Sequence, residues 1–435
     1  MNYDTISLVG LGKLGLCLAA AYAKKGRTVI GIDILPNVVD NIDKGVSPIV
    51  ETGLSEIITE LGGKKLLATL EHKRAITESD VTIILTATPS LPDGSFSNAH
   101  VEEALRILSC ELGKSQKAYH LFVISSTVIP GSINKSFIPL IEKYSGRKIN
   151  EGFGICYDPD FVALGSVIRD FMNPEVIIIG ESNTNDGQAL EKLHVSMCDN
   201  SPQVRHMSLT SAEIAKVSLN AYMTLKISFA NLIGNICERV CDANPDDITG
   251  AIGLDKRISP YYFRAGLSYG GTCFPRDTWA FNAVLKQLEI PLELMRVCHE
   301  VNCYQDDLLA IKVLGLCKRF DVKTIGILGL AFKPDTPVIV ESPAIKLIKA
   351  LLDNGINIIV YDTLAIDNTR EIYKNSIQYT GNVQECMEKA SLCVFTIPSR
   401  EIAKFIYSYT GTQTRILDCW RILDTAKLTE NVKLV

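Results

Sequence analysis

Residues 5–33 read TISLVGLGKLGLCLAAAYAKKGRTVIGID: an apolar run, a glycine-rich turn, an alanine-rich helical pattern and a second apolar run that ends on an acid. This order predicts a strand, a turn, a helix and a strand, as in a nucleotide-binding βαβ unit. The glycines differ in purpose: Gly10 permits the tight turn, Gly12 lets the backbone approach a pyrophosphate, and Gly15 lets the helix pack on the strand. The N–H groups at the helix start then bind phosphate. The stretch therefore predicts a dinucleotide site.

The acid at the end of the second strand specifies which dinucleotide is expected. Asp33 is placed to bond both ribose hydroxyls of an adenosine, and its carboxylate repels a 2′-phosphate, so NAD is favoured over NADP. Two more strand patterns follow, DVTIILTATPS at 80–90 and LFVISSTVIPG at 121–131. Ligands of open parallel sheets bind beyond the carboxyl ends of the strands, which makes Thr127 a site candidate by its position.

The strand and helix pattern restarts at residue 322. VKTIGILGLAFK predicts a strand and a glycine turn, and residues 342–355 predict an amphipathic helix with Ser342 as its N-cap. A strand that ends on Asp362 follows, and the segment 391–399 resembles the strand at 80–90. The turn lacks a full GxGxxG, so this second nucleotide-type half is expected to hold a different ligand from the first.

A long helical pattern separates the two halves. Residues 210–240 contain no proline and are apolar over much of the helix circumference, which is typical of a helix buried on several sides. We interpret it as a connecting spine that also packs against a second subunit. The predicted fold is α/β, with two Rossmann-like doubly wound domains joined by a long central helix. We divide the chain into an NAD-binding domain (1–205), a central domain (206–305) and a second Rossmann-like domain (306–435).

Composition excludes several classes of function. The 435 residues carry a net charge of −5, which argues against a general nucleic-acid or anionic-membrane surface. The 13 cysteines are scattered without metal-type CxxC spacing, as expected for reduced thiols in the cytoplasm. The six histidines form no metal pattern, so no metal is predicted. The apolar N-terminal stretch lacks a basic region and is interrupted by Lys13, so it is predicted to be neither a signal peptide nor a membrane span.

One cysteine stands in an unusual context. Residues 268–277 read SYGGTCFPRD, which is too rich in turn formers for the interior of a strand or a helix. Cys273 is therefore expected on a stiff glycine–proline loop that presents its sulfur. On the long helix, Lys216 and Asn220 are four residues apart and share a face. The alternative for Lys216 is an ordinary helix surface exposed to water.

Seven sequence blocks carry a family resemblance that runs essentially from end to end. They are GLGKLG with Asp33, SSTVIPG, YDPDFVALGS, EIAKVSLNAY, GLDKRI, YGGTCFPRD and LGLAFKPDT, in this order along the chain. The chain resembles the nucleotide-sugar 6-dehydrogenases of the UDP-glucose/GDP-mannose dehydrogenase family. The resemblance implies a four-electron oxidation of a sugar CH2OH to a carboxylate with two NAD in turn, and UDP-glucose is the favoured substrate.

The chemistry of a thiol agrees with that reaction. The first hydride transfer gives an aldehyde, which a thiolate captures as a thiohemiacetal, and the second gives a thioester that water hydrolyses. Serine would serve less well, because a thiolate is the better nucleophile near neutral pH. Cys273 is therefore predicted to form covalent intermediates.

The resemblance also assigns functions to other positions. Lys216 matches a lysine that stabilises oxyanions, and Asn220 matches its polar partner at the substrate. Asp277 matches an aspartate that helps to activate water, and Thr127 matches a threonine that positions water and cofactor. Asp160 replaces a family glutamate and is expected to order water during thioester hydrolysis.

Binding residues follow from the same blocks. The residues expected at the cofactor are Gly10, Gly12, Leu14, Gly15, Asp33, Thr88, Pro89, Thr127 and Arg276, the last in place of a lysine. The residues expected at the nucleotide sugar are Asp160, Phe161, Lys216, Asn220, Arg257, Tyr262, Phe263, Gly266, Gly270 and Lys333. Arg257 is expected to reach the sugar nucleotide, often from the second subunit of a homodimer, and its alternative is a plain surface cation.

Three departures from the family pattern leave alternatives open. Leu164 replaces a frequent glutamate, Val340 a frequent arginine, and Val338 a common aspartate. A Glu–Arg pair can be exchanged for an apolar pair without stranding a charge, so we favour compensation over lost activity. The alternatives are the same reaction on a UDP-N-acetylhexosamine or GDP-mannose, and a catalytically weak nucleotide-sugar-binding protein. A two-electron 3-hydroxyacid dehydrogenase is disfavoured, because it needs neither the cysteine loop nor the second nucleotide half.

Overall fold

A parallel sheet with helices on its faces forms each half of the chain in the computed structural model, which describes residues 3–435. The chain divides into two units, one ending at Ser218 and the other starting at Leu219. The predicted fold class, with two Rossmann-like halves and a long central helix, is confirmed. The boundaries that we assign to the three domains stay a prediction.

The first unit consists of eight strands and eight helices before the long helix. The strands are β1 (Thr5–Val9), β2 (Thr28–Ile32), β3 (Leu66–Thr69), β4 (Val81–Ile84), β5 (Leu121–Ile124), β6 (Gly154–Tyr157), β7 (Val176–Glu181) and β8 (Gln203–Ser208). The helices are α1 (Lys13–Lys24), α2 (Pro36–Asp43), α3 (Leu54–Leu61), α4 (His72–Glu78), α5 (Ala99–Lys114), α6 (Ile138–Ser145), α7 (Val167–Met172) and α8 (Thr184–Val195), with a π-helical turn (Ile133–Phe137) before α6.

The strand order of the first sheet is β3-β2-β1-β4-β5-β6-β7-β8, and β6 and β7 are the antiparallel neighbours. The strands are apolar because both faces are covered: Leu8 and Val9 of β1 are buried in two different clusters on opposite faces. The chain reverses its direction of winding between β1 and β4. The carboxyl ends of these two strands therefore border the crevice in which a doubly wound sheet binds its ligand.

The long helix α9 extends from Leu209 to Cys237 and runs across the division between the units. This agrees with the helix predicted for residues 210–240. Near its start, the buried Glu213 accepts hydrogen bonds from Gly131 N (2.6 Å) and Ile133 N (3.0 Å). These bonds fix the loop that follows β5 against the beginning of α9.

The second unit contains six strands and seven further helices. The helices are α10 (Pro245–Gly253), α11 (Phe274–Gln287), α12 (Leu294–Phe320), α13 (Pro343–Asp353), α14 (Ile366–Tyr373), α15 (Val383–Lys389) and α16 (Arg400–Tyr407). The strands are β9 (Thr324–Leu328), β10 (Asn357–Tyr361), β11 (Gln378–Tyr379), β12 (Leu392–Phe395), β13 (Thr414–Asp418) and β14 (Val432–Leu434), with a 3-10 turn (Thr425–Lys427) before β14. The parallel order β11-β10-β9-β12-β13-β14 repeats the β3-β2-β1-β4-β5-β6 order of the first sheet.

The acids that end the second strand of each half have different surroundings. Asp33 is partly exposed and accepts one backbone N–H on each oxygen. Asp362 is buried and accepts four, from Leu330, Ala331, Leu364 and Ala365. Four backbone bonds occupy both of its oxygens, so Asp362 is an internal anchor of its turn.

The predicted N-cap position of α13 is confirmed. Ser342 occupies the N-cap position, but its hydroxyl donates to Leu330 O at 2.7 Å instead of capping the helix. The hydroxyl thus ties the start of α13 to the glycine turn after β9.

Within residues 3–435, no helix is both long enough and apolar enough to cross a bilayer. In the same range, no three His, Cys, Asp or Glu side chains meet as a metal site would require.

Candidate active site

The glycine turn after β1 has the shape that a bound pyrophosphate needs. Gly10 has a φ of 98°, and a Cβ on it would lie 2.5 Å from Leu85 O. A Cβ on Gly15 would lie 1.9 Å from Gly10 O, which confirms close packing of α1 on β1. Apart from its own chain neighbours, a Cβ on Gly12 would meet no described atom within 4 Å. The turn thus leaves open space at the start of α1, where the N–H groups of the first turn favour an anion.

Asp33 holds this turn in place. Its Oδ2 accepts from Leu11 N at 2.8 Å, inside the glycine turn, and its Oδ1 accepts from Leu35 N at 3.0 Å. A carboxylate oxygen can accept more than one hydrogen bond, so both oxygens keep capacity for ribose hydroxyls. The residues present therefore fit an adenosine dinucleotide.

The loops that follow β4 and β5 are joined beside the carboxyl ends of these strands. The buried Thr88 donates from Oγ1 to Thr127 O at 2.7 Å, and Ser126 donates to Thr86 O at 2.8 Å. Pro89 is exposed next to Thr88. Leu14, which we expect at the cofactor, is partly buried and packs against the core of the first unit. Thr88 and Thr127 are thus fixed in one unit with the glycine turn.

Lys216 lies against the segment that follows β6. Its Nζ donates to the main-chain oxygen of Asp160 and lies 4.9 Å from the centroid of the Phe161 ring. The side chain is nearly buried, with 9% of its surface exposed. Its alternative as an ordinary solvated helix surface is therefore wrong, and the ammonium is held at a defined position beside Asp160 and Phe161.

Three buried ionisable side chains lie in and next to the segment that follows β6. Asp158 and Asp160 are both buried, and His194 Nδ1 of α8 lies 3.1 Å from Asp158 Oδ2. Although burial disfavours the imidazolium, the Asp158 carboxylate raises the pKa of His194. For Asp160, burial first and the Asp158 carboxylate second raise the pKa of the carboxyl group. Within the described chain its Oδ2 has no hydrogen-bond partner, which also favours the protonated form.

Cys273 lies in the second unit, at the N-cap position of α11. Its thiol is exposed, and Sγ lies 3.5 Å from Thr272 Oγ1. The position therefore leaves the sulfur accessible at the start of α11.

One turn into α11, Asp277 is buried next to a polar pair. Its Oδ2 accepts from Asn220 Nδ2 at 2.6 Å, and its Oδ1 lies 3.1 Å from Arg276 Nε. Asp277 N in turn donates to Cys273 O at 2.8 Å. The structure therefore brings Asn220, Cys273, Arg276 and Asp277 together, with Asn220 bonded directly to the carboxylate.

The glycines of the cysteine loop are required by packing. Gly271 has a φ of 86°, and its N–H donates to Val340 O at 2.9 Å. A Cβ on Gly270 would lie 2.3 Å from Glu341 O, and one on Gly271 would lie 2.6 Å from the Phe332 ring. These contacts hold the loop that carries Cys273 against the turn after β9.

Trp420 is an aromatic residue beside Gly266, just before the cysteine loop, that sequence reasoning missed. A Cβ on Gly266 would lie 2.4 Å from its indole ring, and its Nε1 donates to Thr396 O at 2.9 Å. Lone aromatic residues near the end of a chain carry no signal of this contact. Gly266 N also donates to Asn231 Oδ1 of α9 at 2.8 Å.

The segment before the cysteine loop carries other predicted binding residues. Arg257 is exposed and pairs with Asp255, at 2.6 Å between Nη2 and Oδ2. Tyr262 is half exposed, and its ring meets Phe274 edge-on with centroids 5.8 Å apart. Phe263 is buried, and Lys333 is partly exposed in the turn after β9. Arg257 is thus placed at the surface, and Tyr262 beside the residue that follows Cys273.

The three departures from the family pattern are packed against other residues or bonded through the main chain. Leu164 packs against the core of the first unit, and Val338 is buried in the turn after β9. Val340 is half exposed, but its carbonyl accepts the N–H of Gly271. The apolar replacements are therefore accommodated in both units.

Comparisons with known proteins cover all parts of the chain that carry these residues. Models of the UDP-glucose/GDP-mannose dehydrogenase family match with the NAD binding domain over residues 4–198, the central domain over 210–304 and the UDP binding domain over 326–425. The cofactor of the chain is accordingly NAD.

Individual relatives differ in the sugar nucleotide that their names give. The chain is 32% identical over 417 residues to the UDP-glucose 6-dehydrogenase AglM of Haloferax volcanii, covering 95% of both chains. It is 32% identical over 361 residues to the GDP-mannose 6-dehydrogenase of Pseudomonas aeruginosa, covering 82% of this chain and 80% of the relative. The solved structure of a UDP-glucose dehydrogenase from the archaeon Pyrobaculum islandicum matches with a TM-score of 0.88 at 28% identity, covering 99% of this chain and 97% of that chain.

Proposed function

The chain belongs to the UDP-glucose/GDP-mannose dehydrogenase family of nucleotide-sugar 6-dehydrogenases, and we propose that it oxidises C6 of UDP-glucose to the carboxylate. The observation that carries this proposal is the exposed thiol of Cys273 at the start of α11, one turn from the buried Asp277. The UDP binding domain over residues 326–425 and the UDP-glucose relative support UDP-glucose as the substrate.

The first oxidation removes a hydride from C6 and a proton from its hydroxyl group. NAD, when bound, would supply the hydride acceptor for both oxidations. The glycine turn, Asp33, Thr88 and Thr127 are the residues that would hold it. Lys216 stabilises the negative charge that develops on the C6 oxygen, because an ammonium held in a nearly buried position needs no reorganisation.

Covalent capture on Cys273 follows. The thiolate adds to the aldehyde carbon and forms a C–S bond, and the oxygen becomes an oxyanion that Lys216 stabilises. Loss of the second hydride from C6 converts this thiohemiacetal into a thioester. The hydrogen bond from Asn220 to Asp277 holds the amide and the carboxylate together, near the loop that carries Cys273.

Hydrolysis of the thioester completes the turnover. Water adds to the carbonyl carbon, the C–S bond breaks, and the products are the uronate, the Cys273 thiolate and two protons. Asp277 is the carboxylate proposed to activate this water by taking a proton, and Asp160 is proposed to order the water. The balance over the whole reaction is two hydrides, three protons and one water for each uronate.

The raised pKa of Asp160 gives a test that requires no turnover. Because the pKa of this carboxyl is raised to about 8 in the folded chain, the folded chain binds more protons than the unfolded chain between about pH 4 and pH 8. Across this range the group lowers stability as pH rises. We expect Asp160→Asn to raise the unfolding temperature by roughly 2–4 °C at pH 8. At pH 4 the two proteins should unfold at nearly equal temperatures.

The control for that measurement is Asp40→Asn, which changes an exposed aspartate of α2. It should leave the unfolding temperature unchanged at both pH values. A destabilised Asp160→Asn protein at pH 8 would show that the carboxyl is ionised and stabilising, against this account.

A homodimer is part of the proposal. Helix α9 leaves Tyr222, Phe229, Leu232 and Ile236 with 40–60% of their surfaces exposed. A row of large apolar side chains on one helix is a typical surface for a subunit contact. One chain has a mass of 47.8 kDa. Light scattering at micromolar protein concentration should therefore give a mass of twice that value.

The reaction and its substrate are tested with four sugar nucleotides. We expect UDP-glucose, offered with NAD, to yield UDP-glucuronate and two NADH per product, with kcat/KM at least about tenfold above those for UDP-N-acetylglucosamine, UDP-galactose and GDP-mannose. One NADH per product would contradict the four-electron reaction. A higher kcat/KM for GDP-mannose or for a UDP-N-acetylhexosamine would show that the same reaction takes place on one of the alternative substrates. Tight binding without turnover would favour the nucleotide-sugar-binding alternative.

A further inference from the structure

Lys226 of α9 is a buried cation whose three protons are all used by one short segment. Its Nζ donates to Ile258 O at 3.0 Å, Ser259 O at 3.2 Å and Tyr261 O at 2.7 Å. Only 8% of the side chain surface is exposed, and burial lowers the pKa of this amine. Among residues 3–435 no carboxylate lies within ion-pair distance of the ammonium. The ammonium of Lys226 therefore replaces its lost hydration with hydrogen bonds to backbone carbonyls of one segment.

The segment bound by Lys226 has an unfavourable backbone conformation at two residues. It follows α10, and within it Ser259 has a φ of 71° and Tyr262 a φ of 58°, both in the left-handed region. Neither residue is a glycine, so this conformation persists only where surrounding contacts hold it. The ammonium is such a contact, because it binds carbonyls on both sides of Pro260.

The aromatic ring below the ammonium adds a second constraint. Phe263 is buried, its ring centroid lies 5.9 Å from Lys226 Nζ, and it stacks on Phe229 of α9 at 6.3 Å with an 11° angle. Phe263, which directly follows the segment, is thus anchored to α9 by stacking, while the segment itself is anchored by hydrogen bonds.

The same segment carries two residues that we assign to the nucleotide sugar. Arg257 precedes the first bound carbonyl, and Tyr262 follows the last. The Tyr262 ring meets Phe274 edge-on at 5.8 Å, directly after Cys273. The conformation of the segment therefore sets where Tyr262 lies with respect to the cysteine loop.

We propose that Lys226 is a positioning residue for the nucleotide sugar: its ammonium binds three carbonyls of the segment 257–262 and so fixes the placement of Arg257 and Tyr262. This inference rests on the proposed function for the identity of the ligand. The conformation that Lys226 gives to the segment does not depend on the proposed function.

Kinetics of three variants test the proposal. In Lys226→Met, which keeps the length but loses the donors, the KM for UDP-glucose should rise about tenfold while kcat changes less than about threefold. The KM for NAD should not change. Lys226→Arg, which retains a charged donor, should restore the KM for UDP-glucose to within about threefold, and Lys226→Gln should lie between the two. Lys318→Met, at an exposed lysine of α12, is the matched control.

Hydrogen exchange of the same proteins, measured by mass spectrometry without any ligand, tests the segment directly. The backbone amides of residues 257–263 should exchange at least about tenfold faster in Lys226→Met than in the wild type, with no change for Lys318→Met. Should the methionine variant not fold, Lys226→Gln provides both measurements. Unchanged exchange of the segment, or an equal fall of kcat with all substrates and an unchanged KM, would overturn the proposal. A wild-type protein that oxidises no nucleotide sugar would instead contradict the proposed function, while faster exchange in the variant would still support the anchoring by Lys226.

Discussion

Cys273→Ser is expected to lower the rate of UDP-glucuronate formation at least about a thousandfold, since removal of a covalent nucleophile disables both the capture and the hydrolysis steps. The serine hydroxyl is a far weaker nucleophile than a thiolate near neutral pH, and the aldehyde can leave before the second oxidation. Folding should not suffer, because the thiol is exposed and its contact is Thr272 Oγ1 at 3.5 Å. The measurement is the rate of NADH formation together with chromatography of the sugar products.

The matched control is Cys241→Ser, at a second exposed thiol in the turn after α9. That variant should keep wild-type turnover. Both serine variants should have the unfolding temperature of the wild type within about 1 °C. Uronate formation by Cys273→Ser at the wild-type rate would remove the covalent mechanism from this account.

Lys216→Met is the change with the second largest expected effect. The ammonium is proposed to stabilise an oxyanion in both oxidations, and loss of one such donor lowers kcat by about 10²–10³-fold. Lys216 is nearly buried and held by Asp160 O and the Phe161 ring, so no other cation is expected to move into its place. The KM for UDP-glucose should change much less than kcat, because the charge develops mainly in the transition state.

Lys192→Met serves as the control, at an exposed lysine of α8. It should leave kcat unchanged. A Lys216→Met protein with a large increase in KM and a wild-type kcat would reassign Lys216 to ground-state binding. Circular dichroism and NAD binding should be the same for all three proteins.

Much of the fold could be predicted from local pattern. Short apolar runs that alternate with helical patterns specify parallel sheets covered on both faces, and the structure has two of them. The glycine turn was also readable, since Gly10 and Gly15 are required by a positive φ and by close packing that any side chain would break. Such requirements act over a few residues, which is why a single sequence reveals them.

Contacts between residues distant along the chain could not be predicted in this way. Asp33 and Asp362 stand at equivalent places, yet one is partly exposed and the other is enclosed by four N–H groups. The Asp158–His194 pair, 3.1 Å apart, joins the loop after β6 to α8. The sequence gives no sign that Lys226 differs from other lysines on a long helix, although it binds three carbonyls that lie about thirty residues further along the chain. In each case the decisive partner is supplied by the tertiary fold.

Two glycines, one just before the cysteine loop and one in it, illustrate the difference between resemblance and geometry. The resemblance assigns Gly266 and Gly270 to the nucleotide sugar, and that assignment stays a prediction. The structure adds a separate requirement, because side chains at these positions would collide with Trp420 and with Glu341 O. Substitution there would therefore alter the loop itself, so these glycines are poor probes of substrate contact.

The central claim, that the sugar becomes bonded to the sulfur of Cys273, is tested most directly by rapid quenching in acid followed by peptide mass spectrometry. Wild-type protein mixed with UDP-glucose and NAD should yield, within the first turnovers, a peptide containing Cys273 with the added mass of the UDP-glucuronyl thioester. The peptide containing Cys241 should remain unmodified. Steady production of two NADH per uronate with an unmodified Cys273 peptide at every quench time, or with the adduct on another cysteine, would contradict the account.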